Sequence, residues 1–233
     1  MATPMKFPFL LVAIATSVIF CADTPDFFNT DSGPVKTTPI YQASLMIEGR
    51  GKIIYIDPSS KGSFKGLPKA DLILITSDKP DHYDPEAIAR VSRKTTAALA
   101  PEAIASKIQH CTGVSNGETV QFGDVSISAV PAYHVGGTDK GKANGYVLTF
   151  PGLRVYVSGD TGAVPEMKAI KNLDVAFLAV GSPNTMPLEE AAGAIKLLKP
   201  KSLYPYNFAK TSLDDIRKQL ATPGTEIRIR EWY

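Results

Sequence analysis

Apolar residues fall along this chain in short runs separated by Gly, Pro and Asp, which is the pattern of strands joined by turns rather than of long helices. Ile40–Ile47 and Lys52–Ile56 read as two strands around a glycine-bearing turn at Glu48-Gly49-Arg50-Gly51. Leu72–Ile75 and Thr96–Leu99 are short buried strands. Val120–Phe122 and Val125–Val130, the latter alternating with Ser126 and Ser128, flank Gly123-Asp124 as an antiparallel pair. Gly145–Phe150 and Leu153–Val157 form a hairpin around Pro151-Gly152, and Val175–Ala179, Leu203–Tyr204 and Glu226–Ile229 supply the remaining strands. Helices are expected after Asp84-Pro85, where Asp84 is a good N-cap and Pro85 suits the first helical position, and over Pro101–Ile108, Val164–Ile170, Leu188–Leu198 and Ser212–Leu220. Hairpins open the chain and β-α-β alternation follows in each half. That order predicts two similar β-rich lobes with helices outside, an α/β sandwich.

Polar groups recur where these strands end: Asp57; Ser77, Lys79, Asp81 and His82; His134 and Thr138; Asp160; Asn207. Strand-end loops converge on one edge of an α/β layer, so residues far apart in sequence can share a site there. The densest stretch is Ser77–Glu86, where six of ten residues can carry charge. His82 and His134 are two of three histidines in the chain, and with Asp81 and Asp160 they make a candidate four-ligand oxygen/nitrogen metal site. A turn or cap role stays open for Asp57 and Asp160. A Ser77–His82–Asp81 triad lacks the nucleophile elbow such a serine needs, and neither a phosphate-cradling glycine loop nor a redox CxxC occurs.

The 233 residues are 44% hydrophobic and 21% charged, enough to bury a sizeable core in one domain or two closely packed lobes. A net charge of +2 without a dense basic run argues against a nucleic-acid partner. At the N-terminus Phe7–Phe20 is apolar and follows Lys6, which fits a signal peptide over residues 1–21 and a secreted or periplasmic mature chain with no stable membrane association. Residues 22–37 read as a flexible lead-in and 38–233 as the folded domain. Cys21 lies at the expected cleavage boundary, so Cys111 is left alone and the fold must rest on its core rather than on a disulfide.

Over residues 38–233 the chain resembles the metallo-β-lactamase superfamily, in particular its branch of small metal-dependent hydrolases similar to ascorbate-6-phosphate lactonase. The segments that carry the resemblance are IYIDP (54–58), GLPKADLILIT (66–76), AVPAY (129–133), NGYVLTF (144–150), VYVSGDTG (155–162), DVAFLAV (174–180), TMPLEEAAGAI (185–195), KPKSLYPYNF (199–208) and the terminal REWY. The resemblance implies a four-layer αββα sandwich. It also implies a two-metal site built on a T-H-x-H-x-D-H loop, where this chain reads Thr76-Ser77-Asp78-Lys79-Pro80-Asp81-His82. Ser77 and Lys79 therefore stand where the family's first metal takes two histidines, and the third position falls either to Thr138 or, if the loop bends suitably, to His134 four residues earlier. Asp81, His82 and Asp160 match the family's second metal, whose remaining histidine is Asn207 here.

Serine is a poor zinc ligand, and a lysine must lose its proton to bind metal. As an ammonium, Lys79 repels a first ion and neutralises Asp81 or Asp160 instead. The expectation is an exported protein of this fold with a degenerate di-metal site, without standard two-metal hydrolysis, binding a small ligand in the old cleft beside Asp57, Ser77 and Thr138. It holds either no tightly bound cofactor or one zinc or manganese ion. Two alternatives stay open: a single-metal hydrolase of a lactone, ester or phosphoester on Asp81, His82 and Asp160, completed by His134 or Asn207; and a metal-free hydrolase with His82 or His134 as base and Lys79 as oxyanion partner. A homo-oligomer is compatible with the sequence.

Overall fold

The computed structural model describes residues 25–134, 140–181, 183–230 and 232; the expected signal segment and Thr138 lie outside the described residues. Two seven-stranded sheets carry the fold. The first follows chain order through β1 (Asp26–Phe28), β2 (Val35–Tyr41), β3 (Ser44–Gly49), β4 (Lys52–Ile56), β5 (Leu72–Leu74), β6 (Ala97–Ala100) and β7 (Cys111–Gly113). The second does the same through β8 (Thr119–Phe122), β9 (Val125–Pro131), β10 (Asn144–Phe150), β11 (Leu153–Val157), β12 (Val175–Ala179), β13 (Ser202–Tyr206) and β14 (Glu226–Ile227). In each sheet the first four strands pair antiparallel and the rest pair parallel. The expected repeat of hairpins followed by β-α-β units is thus present in both halves.

Strand periodicity sorts the core. On β3 to β5, Leu45, Ile47, Ile54, Ile56, Leu72 and Leu74 join the core between the sheets. Their neighbours Met46, Tyr55 and Ile73 form a separate outer cluster with Val91 and Ile104. Val91 belongs to α1 (Pro85–Val91) and Ile104 to α2 (Glu102–Ala105), which cover the first sheet. α3 (Leu188–Leu198) and α4 (Leu213–Leu220) cover the second, burying Ala191, Ala194, Ile195, Leu198, Ile216 and Leu220. The result is the four-layer αββα sandwich.

Polar and aromatic contacts join the two sheets directly below the strand ends. The Tyr146 hydroxyl donates to the Ile75 carbonyl at 2.9 Å, and the Asn144 N–H donates to the Thr76 carbonyl at 2.8 Å. Fully buried Trp232 meets the rings of Phe177 and Tyr206 with centroids 6.2 and 5.7 Å apart. The Trp232 carbonyl accepts the Gln42 N–H at 2.7 Å, so the C-terminus holds a turn of the first sheet.

Several elements differ from expectation. Residues 22–37 are not all a loose lead-in: β1 and the start of β2 lie within them, because Arg230 grips Asp26 at 2.6 and 2.8 Å from the far end of the chain. Ile40–Ile47 is not one strand; Gln42 turns at φ 46° and splits it between β2 and β3. The Pro101–Ile108 helix is confined to α2, Val164–Ile170 is a 3₁₀ turn over Pro165–Ala169, and the last strand stops at Ile227. Among the described residues no helix is long and apolar enough to cross a membrane.

Candidate metal centre

The ends of β4, β5, β9, β11 and β13 bring Asp57, Thr76–His82, His134, Asp160 and Asn207 to one edge of the sandwich. Local geometry then sets the ligand loop. The Lys79 carbonyl accepts the N–H groups of both His82 and Tyr83, at 2.9 and 2.8 Å, so the chain makes one tight turn that sends His82 back into the interior. Asp84 ends the loop by capping α1 through Ala87 N–H at 3.0 Å, and it also accepts from Ser60 N–H at 2.7 Å. The expected cap is present and has a second function as a tether.

His82 is completely buried between carboxylates. Its Nδ1 meets Asp57 Oδ2 at 2.7 Å, and Asp57 also accepts from the Thr76 hydroxyl at 2.6 Å and the Thr76 N–H at 2.8 Å. The carboxylate fixes the tautomer: Nδ1 carries hydrogen, and Nε2 points outward. Nε2 lies 3.1 Å from Asp160 Oδ2 and 3.6 Å from Asp81 Oδ2. It has no aligned hydrogen-bond partner among the described residues, despite the short distance to Asp160. A buried lone pair facing two carboxylates needs a cation between them, either a proton or a metal ion.

The titration behaviour has the same origin. Burial alone would lower His82, but Asp57 and Asp160 outweigh it and hold the imidazole well above the ordinary histidine value. Burial would raise Asp160, but His82, Lys79 and Asn207 hold its carboxyl below the usual range. Burial pushes Asp57 up, against the opposing pull of His82 and Thr76.

Asp81, His82 and Asp160 each offer one ligand atom, and the three atoms lie within 4.8 Å of one another. With the orphaned Nε2, this donor set fits one divalent ion. The remaining expected residues are placed differently. Lys79 Nζ lies 3.4 Å from Asp160 Oδ2, the same oxygen that faces His82. Asn207, held at φ 50°, donates its amide to Asp160 Oδ1 at 2.9 Å, and so orients that carboxylate as a hydrogen-bond donor. His134 turns its Nε2 to the Asn184 carbonyl at 2.8 Å and stands outside the three-residue group. Ser77, Lys79, Tyr133, His134 and Asp160 line a cleft of about 190 Å³ in front of it. Asp57, expected in the cleft, is fully buried behind His82 instead, because its φ of 43° turns the side chain inward at the end of β4.

Sequence reasoning missed Thr76, Gly159 and Tyr206. Gly159 sits at φ 62°, and a Cβ there would come within 3.0 Å of Thr76 Cβ. Its N–H donates to the Tyr206 hydroxyl at 3.0 Å, which fixes the turn immediately before Asp160. The available signal was the glycine itself, immediately before the candidate ligand Asp160.

A two-sheet αββα sandwich with an Asp-His-Asp group at its strand ends defines the metallo-hydrolase class of fold. The Beta-lactamase superfamily domain matches residues 38–207, and the chain belongs to that superfamily. A UPF0173 metal-dependent hydrolase of Pyrococcus abyssi is 34% identical over 226 residues, covering 84% of this chain and 100% of its relative. A crystal structure from Parabacteroides distasonis, provisionally named a metal-dependent hydrolase, is 39% identical with a TM-score of 0.85, covering 91% of this chain and 100% of that one. The metallo hydrolase Igni18 of Ignicoccus hospitalis is 26% identical with a TM-score of 0.71, over 84% of this chain and 94% of the other.

Proposed function

We propose that this protein is a one-ion derivative of the hydrolase fold. Asp81, His82 and Asp160 hold a single divalent ion, zinc or manganese, and Lys79 supplies a fixed positive charge in place of a second. The protein then lacks standard two-metal hydrolysis and binds a small ligand in the cleft. The observation that carries this reading is the sharing of Asp160 Oδ2: His82 Nε2 faces it at 3.1 Å and Lys79 Nζ at 3.4 Å. A lysine ammonium at that distance is a poor neighbour for another dication.

A divalent ion held by Asp81, His82 and Asp160 would supply a Lewis acid toward an oxygen in the cleft. The chain's own groups do the rest. Asp57 holds the His82 tautomer, Asn207 holds the Asp160 carboxylate, and Lys79 offers its ammonium to a negative oxygen in the cleft. The apolar stretch Phe7–Phe20 supports export of the mature chain.

The orphaned His82 Nε2 also favours a second reading, a single-metal hydrolase of a lactone, ester or phosphoester. A screen of lactone and phosphodiester substrates with zinc- and manganese-loaded protein separates the two. Turnover no faster than that of His82→Ala supports the one-ion ligand binder. Turnover that disappears in His82→Ala and in chelated protein supports the hydrolase and overturns the loss of catalysis.

A further inference from the structure

The loop between β4 and β5 builds a second cleft, of about 520 Å³, which shares no residue with the metal centre's cleft. Phe64 is the partly exposed aromatic ring of its wall. Tyr55 points outward from β4 into the cluster that α1 covers, and Phe64 meets the Tyr55 ring edge-on with centroids 5.9 Å apart. The Tyr55 ring is fully buried beneath Phe64, and its hydroxyl is occupied, donating to the Pro68 carbonyl at 2.8 Å. The rim is cationic: Lys61, Lys65, Lys69 and Arg90 all line the cleft, and among the described residues no Asp or Glu does.

The four cations are not equivalent. Arg90 is paired with Glu86 one turn earlier at 2.7 Å, and Lys69 donates to the Arg90 carbonyl, which ties the loop to the end of α1. Lys61 and Lys65 make no ion pair among the described residues. Like charges gathered around one concavity repel each other and create a positive potential that an anion relieves. Phe64, half-buried above Tyr55, offers an apolar body on the same ligand a surface that an inorganic ion would leave uncovered.

We propose that this cleft is a second ligand site, for a small phosphomonoester attached to a planar or apolar body. The phosphate is held by Lys61 and Lys65 and the body lies over Phe64. The site is separate from the metal centre, so it stands or falls independently of the one-ion reading.

The test is titration of the full chain with 1-naphthyl phosphate and, separately, with inorganic phosphate, followed by calorimetry and ligand-observed NMR. Lys61→Ala/Lys65→Ala removes two exposed side chains that have no side-chain partner among the described residues, and is expected to weaken 1-naphthyl phosphate about tenfold. Its melting temperature and metal content should stay as in the unsubstituted protein. Phe64→Ala is expected to weaken 1-naphthyl phosphate while leaving inorganic phosphate unchanged. His82→Ala, measured at a temperature where circular dichroism shows it folded, should bind 1-naphthyl phosphate as the unsubstituted protein does. Unchanged affinity in Lys61→Ala/Lys65→Ala, loss of binding in His82→Ala, equal affinity for the two probes, or no binding of 1-naphthyl phosphate would each overturn the proposal.

Discussion

The residue that decides this site is His82, and what decides His82 is Asp57. A completely buried imidazole is held from behind by one carboxylate and faces two more. Asp57→Asn keeps the size of the side chain but weakens the hold on the tautomer. Replacing such an outer partner is expected to lower divalent-ion affinity about 10- to 100-fold, read by competition with a chromogenic chelator. Asp57→Ala should also cost about 3–5 kcal/mol of stability in urea unfolding, because it leaves the buried His82 without its partner. At Cys111 burial prevails instead. Burial and, secondarily, Glu102 push its thiol up to about 11, so at pH 8 only on the order of one molecule in a thousand carries a thiolate. Alkylation by iodoacetamide is expected to be far slower in the folded chain than in urea, and to accelerate as pH rises towards 11. A rate equal to that of the unfolded chain would contradict this.

At the scale of the element, the ligand loop is held at both ends. Asp84 caps α1 and binds Ser60, while Gly159 lets the β11 exit pass against Thr76. Asp84→Ala is expected to cost about 1–2 kcal/mol in urea unfolding, through the lost cap and tether. Gly159→Ala strains a left-handed position and drives a methyl towards Thr76, so it should lower both the melting temperature and the ion affinity. Much of this was legible in the sequence. The Asp84-Pro85 start of α1 is a local signal, and the alternation of Val125–Val130 with Ser126 and Ser128 is another. The missed elements depended on distant partners: β1 is fixed by Arg230, and the turn at Gln42 by Trp232, which no local pattern contains. In the candidate site, the types of Asp81, His82 and Asp160 pointed to a metal group, and the structure brings one ligand atom of each within 4.8 Å of the others. The placement of Asp57 behind His82 required the backbone turn at φ 43°, which the sequence does not display.

The whole molecule is two repeats of one plan, hairpins then parallel strands, closed by a C-terminal aromatic that touches both sheets. Trp232→Ala empties a buried position against Phe177 and Tyr206 and is expected to cost about 3–5 kcal/mol. Because Tyr206 also fixes Gly159, the same variant should bind its ion more weakly at temperatures where it is still folded. The sandwich places its strand ends together whether or not two metals are held there, so the fold alone does not settle the chemistry. The chemistry turns on Ser77 and Lys79, which stand in the ligand loop and line the cleft. The most direct test is a count of divalent ions per chain by native mass spectrometry, on protein purified without chelator and then equilibrated with excess zinc or manganese. One ion is expected in the unsubstituted chain and none in His82→Ala; two tightly bound ions per chain would overturn the one-ion site.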